Sequence, residues 1–202
     1  DEVPEVFAKE HVDVVFHGTL ATKVRVDSGV EPLEDPETTQ KEVARILAAI
    51  NATHATDVVL GEKDFEELVA LQQAVSGLRM EVQLHSLPTV RAGGGVAMSM
   101  RNAGVPEQDQ DAALALSAAL TAGAHAAEHG PDLVLETARG VLAAAGIEPD
   151  YLALRSLSFG EAPAVGDARL LAAATFGGVR LIDNVGVPLG IGFKNMGEQP
   201  EP

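Results

Sequence analysis

The sequence predicts an α/β fold in two parts: a partial parallel sheet with helices on its faces, followed by a small α+β domain with antiparallel strands. Three observations carry that expectation. Up to Leu87, short apolar runs alternate with stretches of helical periodicity, which is the pattern of βαβ units. After Pro88 the alternation stops, and Gly93, Gly94 and Gly95 open a segment of different character. Further on, Gly177-Gly178 joins two strand-like runs with the chemistry of a tight hairpin turn.

Taken in order, Val3, Val6 and Phe7 fit the end of an amphipathic helix, and Val12 to Phe16, apolar except for Asp13, is short enough for a buried parallel strand. Asp27 to Glu37, with five acids and two prolines, reads as irregular. Thr39 followed by Glu42 forms a capping box, and Val43, Ile46, Leu47 and Ile50 fall on one face, so a helix is expected from Thr39 to Asn51. Asp57 to Leu60 is the next buried strand, and Gly61 breaks it. Phe65, Leu68, Leu71, Gln72 and Val75 continue as a helix ending at Gly77, and Met80 to Leu84 is a third strand. Helices on both faces of this sheet are expected.

A domain boundary is placed near Thr89, giving a first domain over 1–90, a second over 91–195 and a tail over 196–202. An alanine-rich helix is expected from Glu107 to His129, and Pro131 with Gly146 brackets a second. Tyr151, Ala153 and Arg155 then alternate with Leu152 and Leu154, and Arg169 to Phe176 faces Val179 to Asp183 across the two glycines. The second half therefore reads as two helices packed on a small antiparallel sheet.

Composition narrows the function. The 202 residues carry 14 basic and 30 acidic side chains, a net charge of -16, and 46% of them are hydrophobic. That is enough apolar material for a core without covalent staples. A field this negative repels phosphate backbones and anionic lipid surfaces, so neither nucleic acid nor membrane is an expected partner. The absence of cysteine removes disulfides, thiolate catalysis and Cys-ligated zinc. The alanine-rich run from Ala112 to Ala127 is interrupted by Ser117, Thr121 and His125 and falls short of a membrane span. No basic segment leads into an apolar one after Asp1, so no signal peptide is expected. A start at Asp, directly before a helix-like pattern, points to residues upstream of it.

Three stretches have the residue types for chemistry. Lys63 lies just past the strand ending at Leu60, in Gly61-Glu62-Lys63-Asp64, where a helix begins. Ligands of open α/β sheets bind beyond the carboxyl ends of the strands, and a lysine beside a helix N-terminus suits a phosphate. The second runs from Pro88 to Asn102, where glycines allow close backbone approach and Arg91, Ser99 and Arg101 offer donors to a polyphosphate. It lacks the Gly-Lys-Ser/Thr of a P-loop, and an interdomain linker is the alternative. The third, His125-Ala126-Ala127-Glu128-His129, matches a zinc-protease pattern letter for letter. Gly130-Pro131 ends that helix at once and no third ligand is evident, so no metal site is expected. No nucleophile elbow supports a hydrolase triad either.

Together these stretches resemble the later two-thirds of the pantothenate synthetase (pantoate–β-alanine ligase) family. The resemblance runs in order through Val58-Val59-Leu60-Gly61-Glu62-Lys63-Asp64-Phe65, Pro88 to Arg91, Ala97-Met98-Ser99 with Arg101-Asn102, Asp150-Tyr151-Leu152 with Leu154-Arg155, and Arg169-Leu170-Leu171 with Arg180-Leu181-Ile182-Asp183-Asn184. It implies a nucleotidyltransferase-type, Rossmann-like domain with a smaller lid domain, and ATP-dependent condensation of pantoate with β-alanine through a pantoyl adenylate. ATP with Mg2+ is the implied cofactor, and a cytoplasmic homodimer the implied setting. The implied catalytic residues are Lys63, Ser99 and Arg101. The implied nucleotide-binding set is Gly61, Lys63, Asp64, Met98, Ser99 and Arg101, with Lys63 facing the triphosphate, Asp64 near the ribose or the pocket floor, and Met98, Ser99 and Arg101 in a loop that closes over ATP.

The departures from the family pattern are specific. Its histidine-bearing nucleotide segment and its Asn-Pro-x-Gln-Phe stretch precede anything present here, and Asp35-Pro36-Glu37-Thr38 replaces an arginine-x-x-His-Phe stretch. Glu66-Glu67 stands for a glutamine pair, one of which would bind pantoate, and a carboxylate at Glu67 repels an anionic substrate. Gly94 replaces a usual aspartate, and Met100 replaces a serine donor. Two hypotheses follow: a pantoate–β-alanine ligase, or a catalytically degraded paralogue acting as a binding or regulatory subunit. A generic nucleotide-binding module with an unrelated acid substrate is a third.

Overall fold

The structure is a computed structural model and describes residues 7, 9–15, 22–93 and 95–190. The expectations at Val3, Val6, Phe16 and Gly94, and the tail over 196–202, lie outside the described residues.

Phe7 and Lys9 are helical, and the first helix whose bounds are described, α1, spans Pro36–Thr53. It starts three residues before the expected capping box, because Asp35 caps it by accepting from the Thr38 amide and Pro36 occupies the first turn, where a missing N–H costs nothing. It ends at His54 in the left-handed conformation. Strand β1, Asp57–Gly61, is followed by a 3-10 turn over Glu62–Asp64 and by α2, Phe65–Gly77. Strand β2 spans Gln83–Leu87 and runs parallel to β1, with Asp57 opposite Gln83 and Gly61 opposite Leu87.

This strand lies three residues beyond the expected Met80 to Leu84. The cause is the end of α2: Arg79 adopts positive φ and the Met80 amide is donated back to the Val75 carbonyl, so Met80 is committed to a helix-ending turn rather than to a strand ladder. The expectation of a sheet covered on both faces is also corrected. Val58, Leu60 and Leu84 pack with α1 and α2 in one core, whereas Val59 and Leu87 on the opposite face are exposed. Nor do residues 12–15 form a strand, and Val12, Val14 and Val15 are exposed. An apolar run becomes a buried strand only where layers cover it on both sides.

Past β2 the chain makes a short bridge between Arg91 and Ala97 and 3-10 turns over Met100–Gly104 and Glu107–Asp109. Helix α3, Gln110–His125, is shorter than expected because 3-10 turns flank it, the second at Ala127–His129. Helix α4, Pro131–Ala144, begins at its proline as anticipated. Strands β3, Tyr151–Ser156, β4, Gly166–Phe176, and β5, Val179–Leu189, form an antiparallel sheet in the order β3-β4-β5. Both glycines of the β4–β5 turn have positive φ.

The main core lies between this sheet and α3 and α4, around Leu116, Leu120, Val134, Leu142, Leu170 and Leu189. Small residues on α3 let it lie close: a Cβ at Gly123 would come within 2.7 Å of Leu170 Cδ2. A third cluster, Phe65, Val69, Phe159 and Leu171, joins α2 to the antiparallel sheet. Beside it the Tyr151 hydroxyl donates to Glu34 at 2.7 Å, and Arg180 donates to both Glu34 oxygens and to Asp150.

Candidate functional site

The carboxyl end of β1 delivers Lys63 into a cleft whose opposite wall belongs to the second half of the chain. Lys63 shares the lining with Ser99, Arg101, Asn102, Ser117 and Asp183. Three of the residues expected at a phosphate site, Lys63, Ser99 and Arg101, are therefore brought together from segments that are far apart in sequence. Lys63 is mostly buried, with its ammonium 3.4 Å from Asp64, whereas Arg101 is exposed. Ser99 caps the 3-10 turn that carries Arg101, accepting the Arg101 amide at 3.2 Å. The cleft is nearly shut: its open volume of about 10 Å3 has room for about one water molecule.

The other expected residues lie at its margins. Gly61 is the last residue of β1, and Asp64 is exposed beside Lys63. Met98 is exposed outside the cleft lining, and Met100 is 97% exposed. Glu66 does not face the cleft at all; it is buried and accepts the amides of Leu33 and Glu34, which fixes the acidic segment before α1. Burial also lifts its carboxyl above the usual range. Glu67 sits in the first turn of α2, and burial, reinforced by the charges of Asp64 and Glu42, pushes its carboxyl up to about 7. His125, Glu128 and His129 are exposed at the end of α3 and in the turn after it, and no cluster of three metal-ligating side chains occurs among the described residues.

Arg91 is the main correction. Read as a donor to a polyphosphate, it is instead spent inside the protein. Its guanidinium pairs with both oxygens of Asp183 at 2.7 and 3.0 Å and also reaches the Gly95 carbonyl, the Ser117 hydroxyl and the Asn184 carbonyl. An arginine with this many internal acceptors has no fork left for a ligand.

Behind the cleft lining, Asn184, Arg169, Glu62 and Ser86 form a connected polar network that holds the segment carrying Lys63. Asn184 donates to the main-chain carbonyls of Glu62 and Lys63 at 3.0 and 2.8 Å, and accepts from Arg169 at 2.7 Å. Arg169 pairs with Glu62, whose other oxygen accepts from Ser86, and stacks over the Phe65 ring. The guanidinium holds the Glu62 carboxyl below the usual carboxylate range. On the far side of this pair a larger cavity of about 610 Å3 is walled by Phe65, Leu68, Val69, Leu84 and Leu157, and no expected site residue lines it.

A two-stranded parallel sheet with helices, followed by a small α+β unit built on a three-stranded antiparallel sheet, with a lysine and an arginine in the cleft they share, defines the class: a partial nucleotidyltransferase-like α/β fold with a small second unit. Comparison with known proteins narrows it. The sequence model of the family described as Pantoate-beta-alanine ligase matches residues 4–186. The chain belongs to that family.

It is 49% identical over 163 residues to pantothenate synthetase from Corynebacterium jeikeium, covering 78% of this chain and 53% of that protein. It is 49% identical over 146 residues to the Nocardia farcinica enzyme of the same name, covering 70% and 46%. The chain thus spans about half the length of the curated relatives it matches. Among solved structures, pantothenate synthetase from Thermus thermophilus superimposes with a TM-score of 0.74 at 27% identity, over 82% of this chain and 63% of that one. The fold also matches that of pantoate-beta-alanine ligase from Francisella tularensis, complexed with beta-gamma ATP and beta-alanine, with a TM-score of 0.62 at 20% identity over 90% and 67%. No helix among the described residues is long and apolar enough to cross a membrane.

Proposed function

We propose that this chain supplies the two facing walls of an ATP-dependent ligase site that joins pantoate to β-alanine. The observation that carries the reading is the convergence of Lys63, Ser99 and Arg101 on one cleft at the carboxyl end of β1. In the proposed reaction a pantoate carboxylate oxygen attacks the α-phosphorus of ATP, the bond to the β-phosphate oxygen breaks, and pyrophosphate leaves. The β-alanine amine then attacks the acyl carbon of the pantoyl adenylate and AMP departs. No covalent bond to the protein forms, so its contribution is positioning and charge stabilisation. Lys63 and Arg101 neutralise the triphosphate from opposite walls, the Ser99 hydroxyl offers a donor, and Gly61, Asp64 and Met98 border the nucleotide. Because the cleft is nearly shut, the walls must part to admit it. Mg2+ in this reading arrives on the nucleotide, since no three acidic or imidazole groups converge among the described residues. A homodimer and a cytoplasmic setting belong to the same proposal, and the placing of the two domains on either side of residue 90 does as well.

A second reading has its own support. Glu67 stands where the resemblance places a pantoate-binding glutamine, and Met100 adds no donor to the loop. Both favour a paralogue that holds nucleotide without ligating. The test is pyrophosphate release and pantothenate formation from pantoate, β-alanine and MgATP. Lys63→Ala and Arg101→Ala are each expected to lower pantoate-dependent pyrophosphate release about a hundredfold or more, the usual consequence of removing one transition-state donor. Nucleotide binding that is sensitive to Lys63→Ala, with pyrophosphate release that appears only when Glu67→Gln and Met100→Ser are introduced together, would establish the second reading.

A further inference from the structure

Two neighbouring residues of β5 reach in opposite directions and touch both walls of the cleft. Asp183 is 3% exposed and its carboxylate clamps Arg91, the residue from which the loop carrying Ser99 and Arg101 departs. Asn184 is 2% exposed and its amide nitrogen clamps the Glu62 and Lys63 carbonyls. The two side chains are also tied to each other's segment, since Asp183 accepts the Asn184 amide at 2.8 Å and Arg91 reaches the Asn184 carbonyl. On the loop side, Ser117 of α3 completes the clamp by donating to Gly95 at 2.7 Å while accepting from Arg91.

We propose that Asp183 and Asn184 are positioning residues that jointly set the gap between Lys63 and the Ser99–Arg101 turn, so that one dipeptide fixes both halves of the anion site. The inference rests on the proposed function only in taking that cleft as the place where phosphate binds. Both side chains are already committed to partners inside the protein. Both Asp183 oxygens are engaged by Arg91 and one of them also by a main-chain amide, and both donor hydrogens and the acceptor of the Asn184 carboxamide are used within the protein. Their effect therefore passes through the main chain at Lys63 and through Arg91. The clamps are hydrogen bonds of good length made by two buried side chains, and Arg91, which is itself exposed, is held by five of them at once. A strand interior is also a stiffer mount for such a clamp than a loop.

The test uses MgATP and inorganic pyrophosphate as probes, followed by amide chemical shifts at Lys63 and Arg101 and by calorimetric affinity, together with thermal melting. Asn184→Asp keeps the acceptor for Arg169 and removes the donors to Glu62 and Lys63. It is expected to weaken MgATP about tenfold, roughly the effect of one net hydrogen bond, and to shrink the ligand-induced shift at Lys63 more than at Arg101. Ser117→Ala, a small change that should preserve folding, is expected to weaken binding a few-fold and to act on the Arg101 shift instead. It decides the matter if Asn184→Asp does not fold. Lys63→Ala serves as the reference. If Lys63→Ala weakens MgATP while the two clamp variants leave affinity and both shifts at wild-type values, the positioning role is overturned and the cleft stands. If Lys63→Ala binds MgATP like the wild type, the cleft is misassigned and the positioning role falls with it.

Discussion

In the parallel pair β1–β2, residues facing away from the helices stand in the open, with Val59 at 59% exposure, whereas in β4 the run from Ala168 to Ala174 is buried without a break. The usual rule is the reverse: parallel strands are covered on both faces, and antiparallel ones show a face to water. Here β4 is the middle layer. Leu170, Ala172 and Ala174 face α3 and α4, while Arg169 and Leu171 meet Phe65 at the start of α2. The parallel pair therefore draws its stability, among the described residues, from one helical face and from its attachment to the antiparallel sheet. That attachment is the same set of contacts that shapes the cleft.

The largest expected effect lies in the middle layer. Leu170→Ala should cost about 3–5 kcal/mol in urea unfolding, because it empties a fully buried position against Gly123, while Val59→Ala should stay within about 0.5 kcal/mol. Similar costs at the two sites would break the contrast between the sheets.

The attachment itself comes next. Glu62→Ala should cost about 2–3 kcal/mol, the lower range for breaking a partly buried pair, because Arg169 keeps Asn184 but loses its carboxylate. The sign with pH follows from the lowered carboxyl of Glu62. A depressed value in the folded protein means stability that is present above the ordinary carboxylate range and is lost as the solution is acidified through the folded value. The gap between wild type and variant should therefore close in acid, and a gap that is constant down to pH 3 would detach the effect from the ion pair.

The smallest effect is at Glu67. Its carboxyl is pushed up to about 7 from an ordinary 4.5, so the folded protein holds a proton there that the unfolded chain releases across that window, and stability falls as pH rises through it. Glu67→Gln removes the fall. It should stabilise the chain by about 1–2 kcal/mol at pH 8, allowing for partial exposure, and by nothing measurable at pH 4.5. Equal stabilisation at both pH values would mean that charge at Glu67 is not what strains the start of α2.

What was legible in the sequence follows from the range of the interactions. The helix ends at Gly77 and at Pro131 and the hairpin at Gly177-Gly178 were readable because local backbone chemistry sets them. The start of α1 is equally local, but its capping residue and first proline, Asp35-Pro36, lie inside a run of acids and prolines whose composition is that of a loop. Arg91 was misread for a different reason: its partner Asp183 lies 92 positions away, and no periodicity or spacing marks such a pair. Lys63 and Arg101 were named from their neighbours and from the family resemblance, but the shared cleft exists only once β5 has come between them.

The latch of Tyr151 on Glu34 has an optical side. The chain has one tyrosine and no tryptophan, so its near-ultraviolet emission comes almost entirely from a single ring at the seam between its two parts. That ring donates its hydroxyl to a carboxylate and lies 5.7 Å under the Arg180 guanidinium. Burial and the Glu34 charge together raise the phenol's ionisation well beyond its usual range. A phenol hydrogen-bonded to a carboxylate emits dimly, so parting of the seam would brighten the protein and let the ring ionise like a free tyrosine. The molecule thus carries a native, label-free gauge of how firmly its halves are joined.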